Sequence, residues 1–117
     1  MDYDDLCKEI LNSDKKIRFA GVCDKTGKIK HGGQQEGVKS ILSPEESEQS
    51  LKQALSRWEF RGSFEPKFGK GEYSLTKYEK VKRMTVPVDE NHLLLVSTEI
   101  DVDHAKIIEI VRNLRKG

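Results

Sequence analysis

Few side chains in this sequence have the type and spacing that catalysis or metal binding demands. Cys23 and His31 are the first to consider. In a hairpin spanning both they lie diagonally on one face, about 7–8 Å apart between backbones. A thiolate–imidazole pair needs that proximity. No acid stands where it would orient the imidazole, so the plainer reading is a core cysteine and a strand-end histidine. The metal-ligand candidates are Cys7, Cys23, His31, His92 and His104, with Asp101 and Asp103. They make no CxxC, HxxxH or HExxH spacing. Asp101-Val102-Asp103-His104 fits better as the cap of a last helix. The glycine-rich stretch from His31 to Gly37 lacks a GK[ST] ending and opens no helix directly. It reads as a connection and not as a phosphate cradle. No catalytic residue, metal site or cofactor is assigned.

The segment from Arg57 to Arg83 has more to offer. It holds Arg57, Arg61, Lys67, Lys70, Lys77, Lys80, Lys82 and Arg83, together with Trp58, Phe60, Phe64, Phe68, Tyr73 and Tyr78. Basic groups interleaved with aromatics are what single-stranded nucleic acid binding uses, through phosphate contacts and base stacking. Glu59, Glu65, Glu72 and Glu79 dilute that field. Most of these aromatics are expected in the core. The competing readings are an ordinary solvated face and a protein-binding surface.

The elements that must position these residues follow from periodicity. Tyr3, Leu6, Cys7, Ile10 and Leu11 recur at helical spacing, which predicts an amphipathic helix over 2–13. Residues 17–24 and 28–32 read as a hairpin around Asp24-Lys25-Thr26-Gly27, followed by a loop over 32–37. Ser43-Pro44-Glu45-Glu46 is the strongest local signal: a capping serine, a proline at the first helical position and a glutamate that closes the box. Leu51, Ala54, Leu55 and Trp58 continue it as one stripe. The helix is expected from Pro44 to about Phe60 or Phe64, with Pro66 limiting it. Phe68-Gly69-Lys70-Gly71 reads as a loop. Strands are expected over 73–78, 81–88 and 92–98 as an antiparallel meander, with Pro87 near an end or edge. A last helix runs from Asp101 or Asp103 to Arg115, with Arg112, Arg115 and Lys116 suiting its dipole.

Length and charge narrow the function classes. The 117 residues suit one domain, 1–117, and leave no room for two ordinary ones. Lys and Arg number 21 against 20 Asp and Glu, a net charge of +1. A globally basic nucleic-acid binder is excluded, and so is an acidic tail protein. The charge is instead arranged in blocks. Residues 1–14 carry −4, 43–50 carry −3 and 89–103 carry −5, each at the start of an expected helix, while 52–83 carry +5. The start is acidic and lacks the basic region of a signal peptide. The longest apolar run, Leu93-Leu94-Leu95-Val96, is far too short to span a membrane. A cytoplasmic location with reduced core thiols is expected.

The order α-β-β-α-β-β-β-α at this length resembles the roadblock/LC7 and profilin-like class. The fragments Gly21-Val22-Cys23-Asp24-Lys25-Thr26-Gly27 and His92-Leu93-Leu94-Leu95-Val96 are similar to that class's first hairpin and last strand. Ile17 to Asp24, Leu42 to Glu46, Gly69 to Tyr73 and Leu93 to Glu99 also resemble a group of small archaeal proteins of uncharacterised function. The resemblance implies an α+β fold: a single five-stranded antiparallel sheet of order 2-1-5-4-3 with helices packed on it. It also implies protein–protein work, in homodimers or heterodimers, often as scaffolds or regulators of small GTPases. Pairing in the class runs through the middle helix and third strand. Here these are 44–60 and 72–79, with Leu51, Leu55, Trp58, Tyr73 and Leu75 as candidate partner residues. The expected function is therefore a non-enzymatic interaction module, homodimeric or bound to another protein. The alternatives are a small-ligand sensor with a pocket against the sheet, and single-stranded nucleic acid binding through 57–83.

Overall fold

The computed structural model describes residues 2–116. Helix α1 (Tyr3–Ser13) is capped by Asp2, whose Oδ1 accepts from the Asp4 and Asp5 amides at 2.9 and 3.3 Å. Strands β1 (Ile17–Cys23) and β2 (Ile29–Gln34) follow, then helix α2 (Pro44–Gly62) and the single turn α3 (Glu65–Phe68). Strands β3 (Ser74–Lys77), β4 (Val81–Asp89) and β5 (His92–Glu99) lead into α4 (His104–Lys116). All strand pairs are antiparallel, in the order β2-β1-β5-β4-β3. Closing the ladder this way puts β5 beside β1 in the centre and leaves β2 and β3 as edges.

The sheet is apolar on both faces, as its alternation requires. Ala20, Val22, Met84, Val86, Leu94 and Val96 point to one side, where Leu6, Cys7 and Ile10 of α1 and Ile107 and Val111 of α4 cover them. Cys23, Leu93 and Leu95 point to the other, where Leu51 and Ala54 of α2 lie on them with Phe19, Ile29, Leu55 and Trp58 packed around. The run Leu93–Val96 is buried throughout because β5 is central and covered on both faces.

The predicted start of α2 is present in full. The Ser43 hydroxyl accepts from the Glu46 amide at 3.1 Å, and Glu46 Oε1 accepts from the Ser43 amide at 3.0 Å. Pro66 does not extend α2. It stands in the first turn of α3, where its missing N–H is no loss, so Phe68 belongs to that turn and not to a loop.

Two expectations are corrected. The glycines after His31 do not end the hairpin, since β2 continues through Gly32 and Gly33 to Gln34. The reason is close approach. Gly32 has φ +85°, and a Cβ there would sit 2.1 Å from the Ala20 carbonyl oxygen and 2.9 Å from Cys7 Sγ. Glycine lets the strand pass under α1. Cys23 and His31 do not share a face either. Val22 is the residue opposite His31, and a register shift follows between Val22 and Cys23. His31 thus lies on the α1 side, with Nδ1 3.1 Å from Asp4 Oδ1, while Cys23 is buried under α2. The expected dipole roles of Arg115 and Lys116 fall on side chains outside those described.

Candidate interaction surface

The middle helix and third strand were the expected partner elements, and their side chains divide sharply. Leu51 is 1% exposed and fully committed to the sheet, so no partner reaches it. Leu55 and Trp58 are half-buried in the same cluster, and the Trp58 indole N–H donates to Thr85 Oγ1 at 2.9 Å. The Trp58 ring lies against Gly71, where an added Cβ would come within 2.6 Å of it. Leu75 pairs with Met84 and packs into the core on the α1 and α4 side, away from α2. Of the five candidates only Tyr73 is exposed, just before β3.

Apart from Trp58, the aromatics of the segment are not core residues, contrary to expectation. Phe60, Phe64, Phe68, Tyr73 and Tyr78 are all exposed, Phe60 at 68% and Phe68 at 82%. Successive residues on an α-helix turn by about 100°. With Trp58 facing the sheet, Phe60 must face nearly opposite. Phe64 and Phe68 repeat that position at four-residue spacing across α3, and their rings meet at 5.4 and 6.0 Å between centroids. The result is an apolar ladder on the outer side of the α2–α3 arm. This phase was readable beforehand: Phe60, Phe64 and Phe68 are out of register with the Leu51–Leu55–Trp58 stripe.

The basic residues do not form one field. Arg57, Lys67, Lys70, Lys77 and Lys80 are exposed. Arg61 lies over the Trp58 ring, 4.8 Å from its centroid, with Nη2 3.5 Å from Ser74 Oγ. Lys82 is buried on the α4 side, donating to the Val102 carbonyl at 2.9 Å with Nζ 3.1 Å from His104 Nδ1. Arg83 points to the α2 side, where Nη1 donates to Ser50 Oγ at 2.5 Å. A strand alternates its faces, so Lys82 and Arg83 cannot serve one surface.

The metal candidates are dispersed. Cys7 and Cys23 are buried on opposite faces of the sheet. Asp101 pairs with Lys16 at 2.9 Å, and Asp103 Oδ1 accepts from the Ala105 and Lys106 amides as a cap. Among the described residues no three His, Cys, Asp or Glu side chains converge. Sequence reasoning missed one polar cluster. Tyr3 donates to Asp89, His92 Nδ1 lies 2.9 Å from both Asp89 oxygens, and the Tyr3 ring packs on His31 and His92 at 5.7 and 5.4 Å. Asp89 and His92 are three residues apart at the β4–β5 turn, but Tyr3 and His31 are distant from them in the chain, and only the packing of α1 and β2 against the sheet brings them there.

A family model described as a family of unknown function, DUF6659, matches residues 1–116. The chain belongs to this family. No curated protein matches it. Among solved structures, the DUF6659 chain is similar to the Roadblock/LC7 domain from Streptomyces avermitilis, with a TM-score of 0.72 and 15% identity over 99% of this chain and 93% of that one. It is similar to MglB in a tetrameric arrangement, with a TM-score of 0.77 and 10% identity over 96% and 81%. It is also similar to the profilin of Schizosaccharomyces pombe, with a TM-score of 0.66 and 15% identity over 98% and 94%. At these identities the likeness is one of fold. This chain has a roadblock/LC7-like, profilin-like fold, with the sheet order 2-1-5-4-3 that the resemblance implied. No helix among the described residues is long and apolar enough to cross a membrane.

Proposed function

We propose that this domain is a non-enzymatic protein–protein interaction module that pairs with a second copy of itself. The observation that carries the reading is the exposed Phe60–Phe64–Phe68 ladder on the outer side of the α2–α3 arm, whose Arg61 reaches Ser74 on the edge strand β3. An apolar patch of this kind on a small domain marks a contact surface. Among the described residues strand β3 pairs only with β4, so its outer edge can take another strand. Tyr73 and the end of α2 stand next to that edge. The charges around the ladder are of both signs: Arg57, Arg61, Lys67 and Lys70 alternate with Glu59, Glu65 and Glu72. A two-fold axis can set acid against base in such a surface, which favours a second copy over a partner of one strong charge. The fold is shared with MglB in a tetrameric arrangement, which agrees with assembly through this scaffold.

Light scattering on the purified chain tests this. A species of twice 13.4 kDa is expected in the micromolar range. The double substitution Phe60→Ser with Phe64→Ser should return it to monomer while its circular dichroism stays native, because neither ring contributes to the core. A wild-type monomer at high micromolar concentration overturns the reading.

A further inference from the structure

We propose that a cavity beside the first half of α2 binds a small organic anion: a carboxylate or phosphate head on Arg83, with an apolar body against Phe19 and Leu95. The cavity has a volume of about 710 Å³, within the roughly 300–1,000 Å³ usual for small-molecule sites. Its floor is the end of the sheet that α2 leaves uncovered. Its walls are α2 and the connection over 38–42.

The reason for the opening lies in the α2 stripe. Leu51 and Ala54 face the sheet. One turn earlier the same positions are Ser47 and Ser50. The helix therefore presents hydroxyls where a core layer would otherwise sit. The sheet answers in kind. Arg83 and Ser97 are directly opposite each other on β4 and β5, and Ser97 is opposite Phe19 on β1. Polar and apolar lining thus meet in one concave site.

Arg83 is the group that points to an anion. It is half-buried, and its hydrogen bond goes to the neutral Ser50 hydroxyl. Among the described residues no carboxylate lies within 4 Å of it. A guanidinium taken partly out of water gains most from an oxyanion bound by its fork of N–H donors. Arg18, also on the lining, is by contrast satisfied by Glu99 Oε1 at 2.7 Å. The Ile41 side chain at the mouth is 63% exposed, and Tyr78 is exposed as well. Both would be covered by the apolar part of an occupant. The site lies at the opposite end of α2 from the Phe60–Phe64–Phe68 ladder, so ligand binding and pairing stand or fall separately.

The test is a ¹⁵N-edited NMR titration with four probes: indole-3-acetate, 1-naphthyl phosphate, inorganic phosphate and the neutral indole-3-acetamide. One aromatic anion at least should shift the amides of Ser47, Ser50, Arg83 and Ser97. Indole-3-acetate against 1-naphthyl phosphate separates a carboxylate head from a phosphate head. The neutral amide should bind about tenfold or more weakly, and so should an anion added to Arg83→Gln. Ser47→Leu should put a larger, apolar side chain on the α2 wall of the cavity and weaken anion binding about tenfold or more while the circular dichroism stays native. That variant decides the matter even if Arg83→Gln does not fold. No shift with any anionic probe up to millimolar concentration, equal binding of the neutral amide, or shifts that map elsewhere would each overturn the proposal.

Discussion

The two cysteines have the same chemistry and the same fate. Burial pushes the Cys7 thiol up to about 11, with the Asp4 charge adding to it. Burial likewise pushes Cys23 up to about 11, and Asp24 adds to this against a hydrogen bond with the Leu93 backbone. Thiolates are the reactive species, so neither should be alkylated by iodoacetamide at pH 8 in the native protein, while both react in denaturant. Mass spectrometry reads the difference, and rapid native labelling of Cys23 would revive the case for a nucleophile. Asp89 behaves in the opposite sense. Partial burial acts to raise its pKa, but hydrogen bonds from Tyr3, the Asn91 amide and His92 outweigh that and hold it near 2. A carboxyl lowered from 3.8 to about 2 in the fold stabilises the native state above pH 4, and that stability is lost as pH falls through 2. Asp89→Asn should therefore melt below the wild type at pH 5, with the two curves converging near pH 2. Parallel melting curves across that range would show that the Tyr3–Asp89–His92 cluster contributes nothing.

At the scale of elements, α2 is the best-specified piece of the chain. Its cap, proline and glutamate lie within four residues, and local hydrogen bonds decide such a start without help from the rest of the fold. Ser43→Ala should cost about 1 kcal/mol in urea unfolding, the usual weight of a helix cap. A change near zero would mean that the sheet alone sets the start of the helix. The strand over 29–34 was less legible. Gly32 and Gly33 carry the local mark of a loop, and only the tertiary structure shows that Gly32 is required by its positive φ and by the closeness of the Ala20 carbonyl and Cys7. The Cys23–His31 pairing failed for a related reason. Counting along a hairpin assumes a regular ladder, and a register shift next to Val22 breaks it. The candidate partner residues were only partly legible as well. The resemblance puts pairing on the middle helix, but Leu51, Leu55 and Trp58 there are apolar residues at helical spacing, and such residues are first claimed by the domain's own core. What is left for a partner is the set out of phase with them, Phe60, Phe64 and Phe68.

At the scale of the whole molecule, the proposed pairing makes stability depend on concentration. The melting temperature of the wild type should rise with protein concentration, while that of the Phe60→Ser and Phe64→Ser double variant stays flat. Capping, turn chemistry and periodicity act over a few residues, so the order of the long elements, the helix starts and the buried character of the last strand were legible along the chain, while the short α3 was not. The sheet order 2-1-5-4-3 was implied by the resemblance to the roadblock and profilin-like class, and the structure has it. The tertiary structure decided what each side chain is free to do. The +5 block over 52–83 looked like one surface in sequence, yet Lys82 and Arg83 face opposite sides of the sheet, one sealed beneath α4 and the other opening on a cavity. Adjacent residues on a strand part company as soon as both faces are covered, and no count of charges along the chain can show which layer receives which.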